Sequence, residues 1–95
     1  MPTEKGPKER LYWLMRLLLD NEIEASNFCD EFYATYEHDL NEPLTSEEKS
    51  YFMLISKEGS RFSEFTDDLI NYPNVYVTEH EIRKLVMEAL EVLQN

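Results

Sequence analysis

Apolar side chains recur along the chain at helical spacing. Leu11, Leu14, Met15 and Leu18 stand at i, i+3, i+4 and i+7, which is one helical face. Gly6-Pro7 precedes them, and proline suits the first helical position because its missing N–H has no intrahelical acceptor there. Asn21 marks the end of this helix. Ile23 can serve as the staple residue ahead of a second helix. The pattern runs that helix from about Glu24 to His38, with Ala25, Phe28, Cys29, Phe32 and Tyr36 inward and Asp30, Glu31 and Glu37 outward.

Pro43 disfavours helix at Glu42, so 41–43 reads as a loop. Thr45-Ser46-Glu47-Glu48 fits a capping box in which Thr45 and Glu48 satisfy each other's backbone N–H groups. The helix it opens runs to about Lys57, ends at Gly59, and turns Phe52, Ile55 and either Tyr51 or Leu54 inward. A fourth helix over about Arg61–Asn71 is expected to bury Phe62, Phe65 and Leu69, with Pro73 as its stop. Thr78-Glu79-His80-Glu81 is a second capping box. The clearest stripe follows it: Ile82, Leu85, Val86, Ala89, Leu90 and Leu93. Tyr72–Val77 is β-prone, but it contains Pro73 and has no partner strand, so it reads as a loop. The predicted fold is an all-α, compact bundle of four to five helices. One domain covers 1–95, with 1–7 as a frayed N-terminus.

Charge adds the next constraint. The chain carries 20 acidic and 9 basic residues, a net charge of −11. That balance argues against direct nucleic-acid binding, which needs Lys and Arg against phosphate, and against an anionic membrane surface. The distribution is more telling. Residues 17–48 hold ten acids and no base, while residues 1–16 carry a small positive excess. A solvated helix face accounts for part of such a run. Concentrated like charge also repels itself and speeds encounter with a basic partner. Apolar runs such as Leu17-Leu18-Leu19 fall far short of a signal-peptide core or a membrane span. With one cysteine and no such signal, the expected location is the cytoplasm.

Catalytic and metal-binding patterns are missing from the sequence. Two glycines in the whole chain leave no Gly-rich phosphate loop. His38 and His80 lie on different elements and read as solvated residues. With a single cysteine they make no structural zinc site. Cys29, between Phe28 and Phe32 on the helix surface and next to Asp30, reads as an inert core thiol with a raised pKa. No enzyme, cofactor or metal is expected. Surface recognition remains. Six tyrosines are many for this length, and tyrosine is enriched at binding hot spots. Tyr36 and Tyr51 fit the core, Tyr33, Tyr72 and Tyr76 fall off or beside the stripes, and Tyr72 fits interface or core equally. Trp13 and Leu17 lie off the main stripe, against another helix or a second copy.

A longer pattern emerges from these pieces. A Leu-rich first helix and an acidic turn lead into Ile23-Glu24-Ala25-x-x-Phe28-x-x-x-Phe32. Glu47 and Glu48 precede Phe52. Arg61-Phe62 follows, then Thr78-Glu79-x-Glu81-Ile82-Arg83-x-x-Val86-x-x-Ala89-Leu90. In order and spacing, over roughly residues 11–93, this resembles the colicin D immunity family and the small immunity proteins of contact-dependent growth inhibition systems. The resemblance implies a small acidic helical bundle. Such a bundle binds a cognate nuclease toxin domain, a ribonuclease that cuts transfer RNA, and places acidic side chains in its basic active-site groove. Carried onto the segment around the Arg-Phe pair, it implies Glu58, Glu64, Asp67 and Asp68 as partner-binding residues. Ser60 and Ser63 stand where the family tends to be acidic.

A second stretch, Asp68-Leu69-Ile70-Asn71-Tyr72-Pro73, is similar to the Asp-Leu-Ile-Tyr-Tyr-Pro segment of immunity proteins for E-type colicin DNases. That resemblance implies Asp68 and Tyr72 as toxin contacts. Asn71 replaces the first tyrosine, and the helix over 8–20 has no counterpart. Both resemblances imply an immunity protein in a one-to-one complex with a basic nuclease toxin domain. Two rivals of other kinds remain. One is a helical adaptor or regulatory subunit using an exposed Tyr12, Trp13 and Leu17 patch. The other is an acidic inhibitor of an unrelated DNA-binding protein.

Overall fold

The computed structural model describes residues 6–63, 65–72 and 75–94. The chain forms α1 (Pro7–Leu19), α2 (Ala25–Ala34), α3 (Ser46–Gly59), α4 (Thr66–Asn71) and α5 (Glu79–Leu93), and a π-helical turn, Thr35–Asp39, continues α2. This is the expected all-α bundle. Among the described residues no helix is long and apolar enough to cross a membrane.

The helix ends have local and long-range causes. At α1 the N-cap is Gly6, which has no side chain to cap with. Glu42 takes over: its Oε1 accepts the Lys8 N–H at 3.0 Å, placing a carboxylate at the positive end of the helix dipole. Glycine allows this approach, since a Cβ on Gly6 would lie 3.1 Å from that oxygen. At the other end Asn21 adopts φ 61°, a left-handed conformation that asparagine tolerates. The Glu22 N–H reaches the Leu17 carbonyl at 2.9 Å and the Asn21 N–H reaches Leu18 at 3.2 Å, the Schellman closure. Both predicted capping boxes form, with Thr45 accepting from the Glu48 N–H at 3.0 Å and Thr78 from the Glu81 N–H at 3.2 Å.

Helices α1, α2, α3 and α5 close a ring in which each packs on two neighbours, and α4 stands outside it. The core holds Leu11, Leu14, Met15 and Leu18 from α1, Ala25, Phe28, Cys29 and Phe32 from α2, Phe52 and Ile55 from α3, and Ile82, Val86 and Ala89 from α5, all expected from the pattern, and also Val77, which was not. In α3 it is Tyr51 that packs on this core, while Leu54 is exposed. Tyr36, Leu85, Leu90 and Leu93 pack at its margin, as do Tyr12, Trp13 and Leu17. Thr35 is buried beside Tyr36, and its hydroxyl accepts the Arg10 Nε–H at 3.2 Å. Four rings cross the bundle in sequence, Phe28–Phe32, Phe32–Phe52 and Phe52–Tyr12, with centroids 5.4, 6.0 and 5.5 Å apart. Tilted and edge-on contacts of this kind add to plain area burial.

The last ring leads to a buried carboxylate. Glu48 is only 6% exposed. Its Oε1 accepts the Thr45 N–H at 2.9 Å and meets the Lys8 ammonium at 3.0 Å, and its Oε2 accepts the Tyr12 O–H at 2.7 Å. Burial alone would push this carboxyl up. The Thr45, Tyr12 and Lys8 contacts outweigh burial and hold it below its ordinary value of 4.5. The same bond works in reverse on Tyr12, whose phenol is raised by burial first and then by the neighbouring carboxylate.

Residues 61–63 and 65 depart from the predicted helix over Arg61–Asn71, in which α4 covers Thr66–Asn71. The backbone of this stretch is engaged elsewhere. Val77 N–H donates to the Arg61 carbonyl at 2.8 Å, and Ser63 N–H donates to the Val77 carbonyl at 3.1 Å. Phe62 and Val77 thus form an isolated parallel bridge. The described residues of 72–77 form no strand, yet Val77 finds a one-residue partner that local pattern does not reveal. Phe62 and Leu69 are then only partly covered, and Phe65, expected in the core, is 64% exposed. Pro73 and Glu64 lie outside the described residues. Gly59 is the last residue of α3 rather than a left-handed stop. It lies against Cys29, where a Cβ would meet the sulfur at 3.4 Å.

Glu48→Ala removes a cap, an ion pair and the acceptor of a buried phenol. We expect it to cost about 2–4 kcal/mol in urea unfolding at neutral pH, against about 1 kcal/mol for Tyr12→Phe. A depressed folded-state pKa contributes stability above the unfolded value and loses it as pH falls through the folded one. Wild-type stability should therefore drop on acidification below about pH 4.5, and the Glu48→Gln variant should show a flatter acid limb.

Candidate functional site

Beside α4 the surface opens into a cleft of about 600 Å³. Helix α2 supplies one wall. Ser26, Cys29, Asp30 and Tyr33 repeat at i, i+3, i+4 and i+7 on one face of it. The floor includes the end of α3 at Gly59 and Ser60. The other wall is the irregular segment after α3: Phe62, Ser63, Phe65, Asp68 and Tyr76. The bridge to Val77 and the hydrogen bond from Arg61 Nε to the Val75 carbonyl at 2.8 Å hold this second wall in place. Ser63 organises the start of α4. Its Oγ accepts the Phe65 N–H at 3.1 Å and donates to Asp68 Oδ2 at 2.9 Å.

The lining is chemically one-sided. Among the described residues it contains four rings, two carboxylates and no basic residue. Cys29 senses this environment. Burial, and then the Asp30 carboxylate, push its thiol up to about 12, so it stays protonated and unreactive near neutral pH. Outside the cleft, α4 and its flanks carry a run of exposed apolar side chains: Phe65, Ile70, Tyr72 and Val75. Exposed apolar area of this sort, around an element outside the closely packed ring of helices, is typical of a recognition surface.

The residues named from the resemblances separate into two places. Asp68 faces the cleft and is tied to Ser63. Asp67 is exposed in the first turn of α4. Tyr72 is 55% exposed at the end of α4, and its ring lies 6.1 Å from that of Tyr76, edge to face. These three share one region. Glu58 does not join them. Its carboxylate is paired with Arg61 Nη1 at 3.4 Å and lines a separate groove with Leu54, Val77, Glu81, Lys84 and Leu85 between α3 and α5. Glu64 lies outside the described residues, so no position is assigned to it. Sequence reasoning passed over Asp30, Phe65 and Tyr76 as site residues. Asp30 was visible as an outer-face acid and Tyr33 as an off-stripe ring, but only tertiary packing brings them opposite Asp68.

His38 and His80 are exposed, and His38 makes an edge contact with Tyr33 at 6.4 Å. Among the described residues no three His, Cys, Asp or Glu side chains are grouped to hold a metal ion. Compared with known proteins, the chain matches no protein family, no curated protein and no solved structure at a significant level.

Exposure separates Phe65 from the core phenylalanines. Phe65→Ser should change stability by less than about 0.5 kcal/mol, while Phe52→Ala, which empties a fully buried position, should cost about 3–5 kcal/mol. Thermal or urea unfolding of the two variants side by side measures the contrast.

Proposed function

We propose that this chain is a bacterial immunity protein. It binds a basic nuclease toxin domain one-to-one and neutralises it by setting an acidic surface in the toxin's substrate groove. The resemblance to colicin D immunity proteins makes a ribonuclease acting on transfer RNA the preferred toxin, with a DNase-type toxin as the neighbouring case. The observation that carries the reading is the cleft beside α4, where carboxylates and aromatic rings lie together with no base among the described lining residues, next to exposed apolar side chains on α4 and its flanks. A nuclease groove is basic because it holds a phosphate backbone, and this surface is complementary to such a groove in sign.

The charge of the rest of the chain suits the same partner. Of the ten acids between 17 and 48, Glu48 and Glu31 are paired with Lys8 and Arg10. Asp20, Glu22, Glu24, Asp30, Glu37 and Glu47 remain exposed and extend the negative field that steers encounter. Docking then rests on Asp67, Asp68 and Tyr72, with Asp30 and Tyr33 from the facing helix. The adaptor alternative needs Tyr12, Trp13 and Leu17 as a free patch, but all three are packed against the core.

The test is capture of the partner by the tagged protein at low salt from its own cells, followed by assay of the captured domain. We expect a basic domain whose nuclease activity falls to background at one equivalent of this protein. Its association rate should drop at least about tenfold between roughly 50 and roughly 500 mM salt. Asp67→Lys should weaken the complex far more than Glu91→Lys on α5. A neutral or acidic partner bound without salt dependence would overturn the reading.

A further inference from the structure

The chemistry of the cleft beside α4 narrows what can enter it. Its volume, about 600 Å³, lies within the range of sites that enclose a side chain or small ligand. Two carboxylates approach from different walls, Asp30 from α2 and Asp68 from the start of α4. Both have acceptor capacity to spare. Asp30 is exposed, and Asp68 accepts a hydrogen bond from Ser63 through Oδ2, whereas a carboxylate offers about four acceptor sites. Tyr33, Phe62, Phe65 and Tyr76 supply ring faces and edges around them, with Phe65 and Tyr33 still well exposed.

Among the described lining residues an anion entering here would meet two carboxylates and no cation. A neutral apolar group would cover the carboxylates without pairing them, which is costly. A cation fits both features, being attracted by the carboxylates and by the faces of the rings. Between the two common cations the site favours guanidinium. It is flat, so it stacks on a ring while its N–H fork engages a carboxylate with two bonds. It is also less strongly hydrated than an ammonium and easier to bring into an aromatic cleft. Arg61, next to Phe62, pairs with Glu58 and donates to the Val75 carbonyl.

We propose that the cleft formed by Asp30, Tyr33, Phe65, Asp68 and Tyr76 is a receptor for one arginine side chain presented by the protein partner. The identity of the occupant as a protein's arginine rests on the reading of a basic protein partner. The cation selectivity of the cleft rests on its lining alone. The arginine is the central anchor of the complex, and the exposed apolar side chains of α4 close around it and exclude water, the arrangement found at interface hot spots.

The experiment titrates the free, full-length, isotopically labelled protein with N-acetyl-arginine amide, followed by NMR at about physiological salt. Matched titrations use the lysine and glycine analogues. We expect saturable shifts centred on Tyr33, Phe65 and Tyr76, with the lysine analogue at least about threefold weaker and the glycine analogue inert. Asp30→Asn should weaken arginine binding by about three- to tenfold, while Glu91→Gln should leave it unchanged. Asp30 is an exposed helix residue, so the variant keeps the fold, and its unchanged spectrum outside the cleft verifies that. Shifts spread over the whole acidic surface, equal responses to arginine and lysine, or insensitivity to Asp30→Asn would each overturn the proposal. A captured basic nuclease that is inhibited normally while arginine fails in this titration removes the receptor and leaves the immunity reading. Specific arginine binding with no nuclease partner does the reverse.

Discussion

One buried carboxylate ties two helices of the bundle together. Glu48 caps α3, receives the phenol of Tyr12 and pairs with Lys8. Helices α1 and α3 are therefore tied through one side chain that has almost no access to water. An isolated buried carboxylate would be costly, and removing its donors would leave that cost standing. With three donors in place it is satisfied, and no buried side-chain nitrogen or oxygen among the described residues lacks a partner. The aromatic series Phe28–Phe32–Phe52–Tyr12 then ends on a polar anchor instead of continuing into solvent.

This node also changes the meaning of the charge pattern. The acidic stretch 17–48 looks like a surplus of one sign, but its last part is a capping device. Glu42 caps the first turn of α1, Glu48 caps α3, and Glu31 reaches Arg10. The few bases at the N-terminus meet acids brought in from 21 to 40 residues away along the chain. The carboxylates that remain exposed are spread along α2, the turns that precede and follow it, and the first turn of α3. The field they create faces outward, where it repels anions and attracts a basic surface.

The candidate site follows from an opposite circumstance. Helix α4 has six residues and lies outside the closely packed ring of α1, α2, α3 and α5. A helix so short contributes little to its own stability. Its position comes from the Phe62–Val77 bridge, the Arg61 bonds to its surroundings and the Ser63–Asp68 contact. These hold the second wall of the cleft and leave Phe65, Ile70, Tyr72 and Val75 uncovered. Rigid walls from α2 and α3 with a lightly held, apolar third side suit a surface that orders against a partner.

The sequence alone determined the elements that repeat or cap locally. The stripes of α1 and α5, the inward Phe28 and Phe32, both capping boxes and the turn at Asn21 were all legible, because helix periodicity and capping act within a few residues. Asp67, Asp68 and Tyr72 share one region because they lie within one short segment. Tertiary structure decided the rest. Residues 61–65 read as helix because Phe62, Phe65 and Leu69 have helical spacing, yet the backbone of Arg61 and Ser63 bonds Val77, a partner 14 to 16 residues away. Glu58 read as a companion of Asp68, but Arg61 holds it toward α5. Asp30 and Tyr33 gave no local sign of facing Asp68, and Glu48 gave none of being buried. Each of these outcomes depends on which groups from distant parts of the chain complete a hydrogen bond or ion pair, and no local periodicity encodes that.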